Sequence, residues 1–202
     1  MSHLTVIDFE ASSLVDGFPV SVGIARSDGR MFYALVKPHP EWDMGYRWDP
    51  NSEAIHGLTR EHLTRHGREV SVVVSDIKSM FGVDVAYMSD APGHDKQWLD
   101  ELISVSSIDY KPRMFRSTPS MWLTTLYDEH RIELEAILKI NELRKSMHTH
   151  NALSDAASWV AADEAARAWV QYNDLRKCEA VFETYKHRVR EAVAALEKSG
   201  VS

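Results

Sequence analysis

The sequence predicts an α/β fold in which a mixed β-sheet, an antiparallel meander plus parallel strands, is flanked by helices and followed by a long helical C-terminal extension. Three short apolar segments separated by turn residues open the chain, and a further apolar segment at residues 83–88 lies between helical patterns. Helical sequence then continues to about residue 198. We expect one domain over residues 1–170 and a helical extension over residues 171–202.

Composition limits the class of protein. The 202 residues are 44% hydrophobic, carry a formal charge of −7 and include one cysteine. These values suit one globular domain with a sizeable core and exclude an internal disulfide. No run of about 18 apolar residues is present, so we expect no membrane span and a cytoplasmic location. The acidic balance argues against a general basic surface for nucleic acid.

The first strand ends in two acidic residues. Residues 4–10 form an apolar, β-branched run in which Asp8 and Glu10 occupy alternate positions, so both side chains point to one face. Two neighbouring carboxylates at the end of a core strand repel each other and are tolerated best beside a cation such as Mg²⁺ or Mn²⁺. The alternative is that Glu10 begins a loop.

Two further strands, residues 19–25 and 31–36, are separated by a Ser-Asp-Gly-Arg turn and complete the meander. The loop that follows, residues 37–50, carries three aromatic residues, Trp42, Tyr46 and Trp48. Such residues stack on bases in proteins that bind single strands, or they pack as a lid on the core. Both interpretations remain open at this stage.

The middle of the chain alternates between helical and strand patterns. We expect helices over residues 52–58, 59–63, 70–81, 96–103, 118–126 and 133–143, and strands over residues 83–88 and 108–115. Asp95 directly precedes a helix and is either its N-cap or one more site carboxylate. Lys111, Arg113 and Arg116 surround Phe115, which indicates either phosphate contact or an edge strand protected by charge.

The last acidic candidate follows a histidine. A helix that begins near Asn151 carries Asp155 about one turn past His150, so the two side chains can face one cavity.

The ordered set Asp8-x-Glu10, Asp95 and His150-x4-Asp155 resembles the three motifs of the DnaQ-like exonucleases, the DEDDh branch of the ribonuclease H-like superfamily. Residues 54–59, Ala-Ile-His-Gly-Leu-Thr, are similar to a segment common between the first two motifs of that family. The resemblance covers roughly residues 4–166.

The resemblance implies a catalytic set and a reaction. Asp8, Glu10, Asp95 and Asp155 would hold two divalent ions, Mg²⁺ or Mn²⁺, with Asp8 touching both, and His150 would be the general base. The implied reaction removes nucleotides from a 3′ end and releases nucleoside 5′-monophosphates. The residues implied to bind the terminal nucleotide are Phe9, Ala11, Ser12, Ile55 and His56.

The sequence departs from the family pattern at three points. Ala11 and Ser12 stand where Thr-Gly is common, and the missing glycine changes how closely a backbone can approach the substrate. The residues before the second motif also differ, which leaves Asp90 as a rival to Asp95. Finally, helical sequence continues well past the last motif.

That continuation contains an apolar stripe with heptad spacing, formed by Leu175, Cys178, Phe182, Tyr185, Val189, Ala192 and Leu196. Such a stripe needs an apolar partner. It either folds back on the nuclease domain or pairs with a second copy to form a homodimer.

The sequence therefore predicts a metal-dependent 3′–5′ exonuclease for the 3′ ends of single-stranded nucleic acid, with RNA or short single strands as the first expectation. The alternatives are single-stranded DNA as substrate, or a non-catalytic nucleic-acid-binding module of the same fold. The acidic composition favours a grip near the 3′ end over binding along a long duplex.

Overall fold

A computed structural model describes residues 3–42 and 45–199 of the chain, with side chains through residue 195. The strands are Thr5–Ala11 (β1), Pro19–Arg26 (β2), Met31–Leu35 (β3), Ala86–Tyr87 (β4) and Arg113–Met114 (β5). The helices are Pro50–His56 (α1), Arg60–His66 (α2), Val70–Phe81 (α3), Pro92–Ser106 (α4), Pro119–His130 (α5), Leu134–Lys145 (α6), Ala152–Tyr172 (α7) and Leu175–Ser199 (α8). Of these described helices, none combines the length and the apolar content that crossing a bilayer requires.

The strands form the predicted mixed sheet. β1, β2 and β3 make an antiparallel meander, and β4 pairs with β5 in parallel. A parallel bridge between Val6 and Met88 joins the two parts. The bridge comprises two hydrogen bonds of 2.9 Å, from Ile7 N to Met88 O and from Met88 N to Thr5 O. The α/β fold class is confirmed.

Several element boundaries differ from the prediction. The strands expected over residues 83–88 and 108–115 shrink to Ala86–Tyr87 and Arg113–Met114. Pro112 has no N–H to donate to a ladder, which explains why β5 begins only after it. α4 begins at Pro92 rather than residue 96, because the fixed φ of proline suits the first helical turn. Asp95 therefore lies inside the helix and is not its N-cap.

The sheet separates two apolar clusters according to the alternation of β1. Leu4 and Val6 belong to the cluster beneath α5 to α8, whereas Ile7 and Phe9 belong to the opposite cluster with α3 and α4. The aromatic loop covers that second cluster. Trp42 stacks on the Phe18 ring at 4.8 Å, and Trp48 is also buried. The lid interpretation is confirmed for both tryptophans.

Helix α7 lies unusually close to the sheet. A Cβ atom on Gly23 of β2 would lie 2.1 Å from the backbone of Ala152 and Leu153, so only glycine permits this approach. Gly23 pairs directly with Asp8 in the β1–β2 register. The first turn of α7, which carries Asp155, is thereby brought against the strand that carries Asp8.

Helix α8 packs back on α7. Cys178, Phe182, Tyr185 and Val189 are buried in the same cluster as the apolar face of α7, so the heptad stripe is covered within the chain. The predicted homodimer through this helix is therefore not supported, because the apolar surface that it would use is already occupied. Leu196 of the heptad stripe lies outside the part of the chain described with side chains, and so do residues 1 and 202, which bound the two predicted regions 1–170 and 171–202.

Candidate active site

Acidic side chains from three elements meet beside the C-terminal half of β1. Ligand oxygens of Asp8, Glu10 and Asp155 lie within 4.8 Å of one another, and so do those of Asp8, Asp90 and Asp95. Asp8 and Glu10 come from β1, Asp95 from the first turn of α4 and Asp155 from the first turn of α7. All four predicted carboxylates are thus brought to one place, and Asp8 belongs to both groups.

Asp95 is held by the segment that follows β4. Its side chain is 1% exposed, and the hydroxyl of Ser89 donates a hydrogen bond to its Oδ2. Ser89 also accepts a hydrogen bond of 2.9 Å from the Ala91 backbone N–H. The loop between β4 and α4 therefore fixes both the carboxylate and the hydroxyl that orients it.

Asp155 is held by the loop that precedes α7. Asn151 caps this helix by accepting a hydrogen bond of 3.1 Å from the Ser154 N–H, so the helix begins where the sequence predicted. The Thr149 N–H donates to Asp155 Oδ1 at 2.9 Å, and His148 Nδ1 lies 3.2 Å from Oδ2. Both carboxylate oxygens consequently have a partner in the loop.

Burial and mutual repulsion raise the pKa of every predicted carboxyl. Burial, together with Asp155 and Asp95, raises the pKa of Glu10 to about 8. Burial raises the pKa of Asp95 to about 7, although hydrogen bonds from Ser89 and the Phe9 backbone oppose this rise. Burial, followed by the neighbouring carboxylates, raises the pKa of Asp8 well above its usual range, and burial also raises that of Asp155.

Burial and mutual repulsion both penalise the ionised form of these carboxyls, and a bound cation would relieve both penalties. An oxygen-only donor set with excess negative charge fits a hard divalent cation such as Mg²⁺ or Mn²⁺. The side chains that are present therefore fit the metal that the sequence resemblance implies.

Asp90 belongs to the cluster as well. It is exposed, yet its carboxylate lies within 4.8 Å of Asp8 and Asp95 donor atoms. The sequence treats Asp90 and Asp95 as rivals for one position. In the fold they are neighbours, because Asp90 follows β4 and Asp95 lies one turn into the next helix.

Two histidines, rather than one, approach Asp155. Donor atoms of His148, His150 and Asp155 lie within 4.8 Å of one another, and the two imidazole centroids are 4.7 Å apart. His150 is exposed and has a left-handed backbone, with φ of 53°. Sequence reasoning missed His148, although the spacing His-Thr-His places both rings near one side of the loop.

Arg144 is a further residue that sequence reasoning missed. Its guanidinium lies 3.9 Å from the centroid of the Trp159 ring, and its Nε is buried without a hydrogen bond. Burial lowers its pKa, and the charges of Asp90 and Asp155 oppose this effect. A fixed cation thus borders the acidic cluster. No motif signals it, because it lies at the end of α6.

His56 also reaches the edge of the site. Its Nδ1 accepts a hydrogen bond of 3.0 Å from the Leu58 N–H, and its Nε2 is buried without a hydrogen bond of good geometry. Burial lowers the pKa of His56, the Ala11 backbone raises it, and the nearby His150 lowers it further. Its neighbour Ile55 is 59% exposed. Ile55 is therefore available to a ligand, whereas Nε2 of His56 faces the protein interior.

The other three residues implied for substrate binding have side chains committed elsewhere. Phe9 points to the opposite face of β1 and meets the Trp98 ring edge-on at 6.5 Å. The Ser12 hydroxyl donates to the Arg47 carbonyl at 2.7 Å and accepts from the Phe18 N–H at 2.9 Å. Ala11 is 7% exposed. Any contact from these positions to a substrate has to come from the backbone.

Comparison with known proteins finds the same fold in solved exonucleases. Exonuclease I of E. coli in a zinc-bound complex with single-stranded DNA is 14% identical, covering 87% of this chain and 42% of that chain with a TM-score of 0.57. A further structure of exonuclease I, concerned with processivity, gives 15% identity, 96% and 46% coverage and a TM-score of 0.58. Exonuclease I of Methylocaldum szegediense is 15% identical, covering 91% of this chain and 42% of that chain with a TM-score of 0.56.

These likenesses establish the fold of the chain. The chain spans less than half the length of the exonucleases it matches. No protein-family model and no curated protein matches the sequence.

Proposed function

We propose that this protein is a divalent-metal-dependent 3′–5′ exonuclease of the DEDDh type that acts on single strands. The observation that carries the proposal is the convergence of Asp8, Glu10, Asp95 and Asp155, all with raised pKa values, in a fold shared with exonuclease I. Four partly buried carboxyls cost stability unless a cation binds them, so their presence together supports a metal-dependent site.

The four carboxylates are the residues that would hold Mg²⁺ or Mn²⁺. Asp8 belongs to two groups of donors, which supports a position between two ions. When bound, the ions would stabilise negative charge on the phosphate oxygens and lower the pKa of water. Ser89 and Thr149 hold the carboxylates of Asp95 and Asp155 in place through hydrogen bonds.

His150 is the proposed general base. It is exposed on the loop beside Asp155, so its imidazole can reach a water molecule and accept its proton. His148 contacts Asp155 at 3.2 Å and orients that carboxylate. The two histidines thereby have different tasks: His150 moves a proton and His148 fixes a ligand.

The terminal nucleotide would lie between α1 and the acidic cluster. Ile55 offers an exposed apolar surface, and the half-buried imidazole of His56 lies beside it. Arg144 would approach a phosphate from the other side, since it is stacked on Trp159 and borders Asp90. We assign catalysis to residues 1–170 and a bracing role to residues 171–202.

Single-stranded DNA is the proposed substrate in place of RNA, because solved structures of exonuclease I with this fold hold DNA oligonucleotides. The RNA preference expected from the sequence stays a prediction. The same experiment decides between the two.

The test is degradation of 5′-labelled DNA and RNA strands of one sequence with Mg²⁺, with Mn²⁺ and with chelator. We expect a metal-dependent ladder that shortens from the 3′ end, faster on DNA, with nucleoside 5′-monophosphates as products. Asp155→Asn should slow it by about 10³-fold. Asp100→Asn, which changes an exposed carboxylate paired with Lys96 on α4, is the matched control and should leave it unchanged.

Two results would contradict the proposal. Cleavage at an undiminished rate in the Asp155→Asn protein would come from another site or another protein. Strand binding without release of nucleotides under either metal would instead identify a non-catalytic binding module.

A further inference from the structure

A cavity of about 700 Å³ opens at the end of β1 opposite the carboxylates. Leu4 and Thr5 at the start of β1 line it, together with residues 83–86 before and within β4. Asp8 and Glu10 lie three or more residues further along the same strand. The cavity is therefore separate from the acidic cluster, and none of the catalytic residues assigned above lines it.

One wall of the cavity is apolar and aromatic. Leu4, Val85 and Met88 contribute apolar side chains to the lining, and Phe115 and Trp122 contribute aromatic ones. The Trp122 ring is fixed in place, because its Nε1–H donates a hydrogen bond of 2.9 Å to Asp163, which is 2% exposed. A planar apolar surface is thus preformed, as is usual in small-molecule sites.

The cavity also carries two arginines. Nη2 of Arg113 donates to the Asp84 carbonyl at 3.2 Å, which fixes the guanidinium at the rim. Nε of Arg26 is 3.3 Å from Oδ2 of Asp28, yet it is buried without a hydrogen bond. Asp84 is the acidic residue in the lining, and the Asp28 carboxylate beside Arg26 is shared with Arg30 at 3.3 Å, so three arginines face two carboxylates here. A locally positive cavity in a protein of formal charge −7 favours an anion.

We propose that this cavity binds a nucleoside monophosphate. Its volume lies within the range of small-molecule sites, its aromatic wall suits a base, and its arginines suit a phosphate. Phe115, which is 47% exposed, would cover the base on binding. The sequence indicates that the basic residues around Phe115 either contact phosphate or protect a strand edge. One of them, Arg113, lines this cavity.

The test is calorimetric titration of the full chain with adenosine 5′-monophosphate in the presence of chelator. Chelator leaves the acidic cluster without divalent ions, so the result is independent of exonuclease activity. We expect saturable binding at one site, with adenosine alone and inorganic phosphate alone each binding at least about tenfold more weakly.

Two variants at exposed positions locate the ligand without disturbing the core. Arg113→Gln removes a cation, and Val83→Asp adds a negative charge at a lining residue that is 56% exposed. Each should weaken binding by about tenfold. Arg65→Gln, which changes an exposed arginine paired with Glu61 on α2, is the matched control and should leave binding unchanged.

Either of two outcomes would overturn the proposal. One is the absence of saturable binding up to about 5 mM nucleotide, a concentration that detects even weak sites. The other is binding that Asp155→Asn abolishes while Arg113→Gln and Val83→Asp leave it intact, because the nucleotide would then occupy the acidic cluster.

Discussion

The two ends of helix α7 lie in opposite environments. Its first turn places Asp155 among carboxyls whose pKa values are raised by burial and repulsion. The rest of the helix buries alanines and Val160 against the sheet and against Phe182 and Tyr185 of α8. In the absence of a cation, the charged end therefore destabilises the folded state, whereas the apolar end stabilises it.

This difference shows how a fold tolerates a site that destabilises it. The apolar contact between α7 and α8 holds the helix in place whether or not the carboxylates are neutralised. Activity and stability should therefore respond separately to substitutions at the two ends, and four measurements test this separation.

The largest effect is expected from Asp155→Asn at the charged end. Removing one carboxylate should lower kcat/KM by about 10³-fold, because a metal ligand is lost. The same change removes a buried charge, so the melting temperature in chelator should rise. Parallel kinetic assays and thermal unfolding of the purified variant check both. A simultaneous loss of activity and of metal-free stability would refute the separation.

The next largest effect is expected from Phe182→Ala at the apolar end. Its side chain is fully buried, so truncation should lower the free energy of unfolding by about 3–5 kcal/mol. Activity per folded molecule should stay unchanged, as measured at a temperature well below unfolding. Leu138→Ala, at a position that is 61% exposed, is the control and should change stability little.

The stability of the protein should depend on pH because of the carboxyls that surround the charged end of α7, above all Glu10 of β1. The pKa of Glu10 is about 8 in the folded state against 4.5 unfolded, so the folded state binds the proton more tightly. The contribution of Glu10 to the free energy of unfolding is fully present below pH 4.5. It is lost as pH rises toward 8, and the loss is about 3 kcal/mol once solvent screening is allowed for. Denaturant unfolding in chelator at pH 5 and pH 8.5 measures this loss.

Divalent metal supplies the control for that measurement. Mn²⁺ should remove most of the loss, because a bound cation keeps the carboxylates ionised at both pH values. In chelator, Glu10→Gln should reduce the loss of stability between pH 5 and pH 8.5. An equal loss in the variant would show that other groups cause it.

The last test is Gly23→Ala, which links the two ends and should affect both. The new Cβ would lie 2.1 Å from the backbone of Ala152 and Leu153, so the start of α7 has to shift, at a cost of at least about 3 kcal/mol. Because Asp155 moves with it, metal affinity should fall as well. Gly93→Ala is the control, since its Cβ would have no neighbour within 4 Å. A destabilised variant with normal metal affinity would contradict the coupling.

The parts of the site that the sequence predicted are those that local geometry determines. Strand alternation places Asp8 and Glu10 on one face, and the Asn151 cap places Asp155 in the first turn of α7. The fold-back of the heptad stripe was one of two open readings. The sequence did not choose between them, because the partner surface on α7 is set by tertiary packing.

The parts that the sequence missed depend on loops and on long-range contacts. His148 approaches Asp155 from the loop before α7, in which the backbone of His150 has a positive φ. Arg144 reaches the cluster because it stacks on Trp159, a contact between two helices. The side chain of Ser12 was expected at the substrate pocket, but it holds the turn near Phe18 instead. Periodicity carries no information on such pairings.

The bridge between Val6 and Met88 has a consequence for the motions of the site. Asp8 lies on the β1 side of this bridge, whereas Asp90 and Asp95 lie on the β4 side, so donor groups are supplied by two parts of the sheet joined by two backbone hydrogen bonds. The amide protons of Ile7 and Met88 should therefore exchange with solvent through opening of this joint. A ligand that spans Asp8 and Asp95 would slow both exchange rates together. The exchange rates of these two amides therefore report whether the two halves of the site are held together.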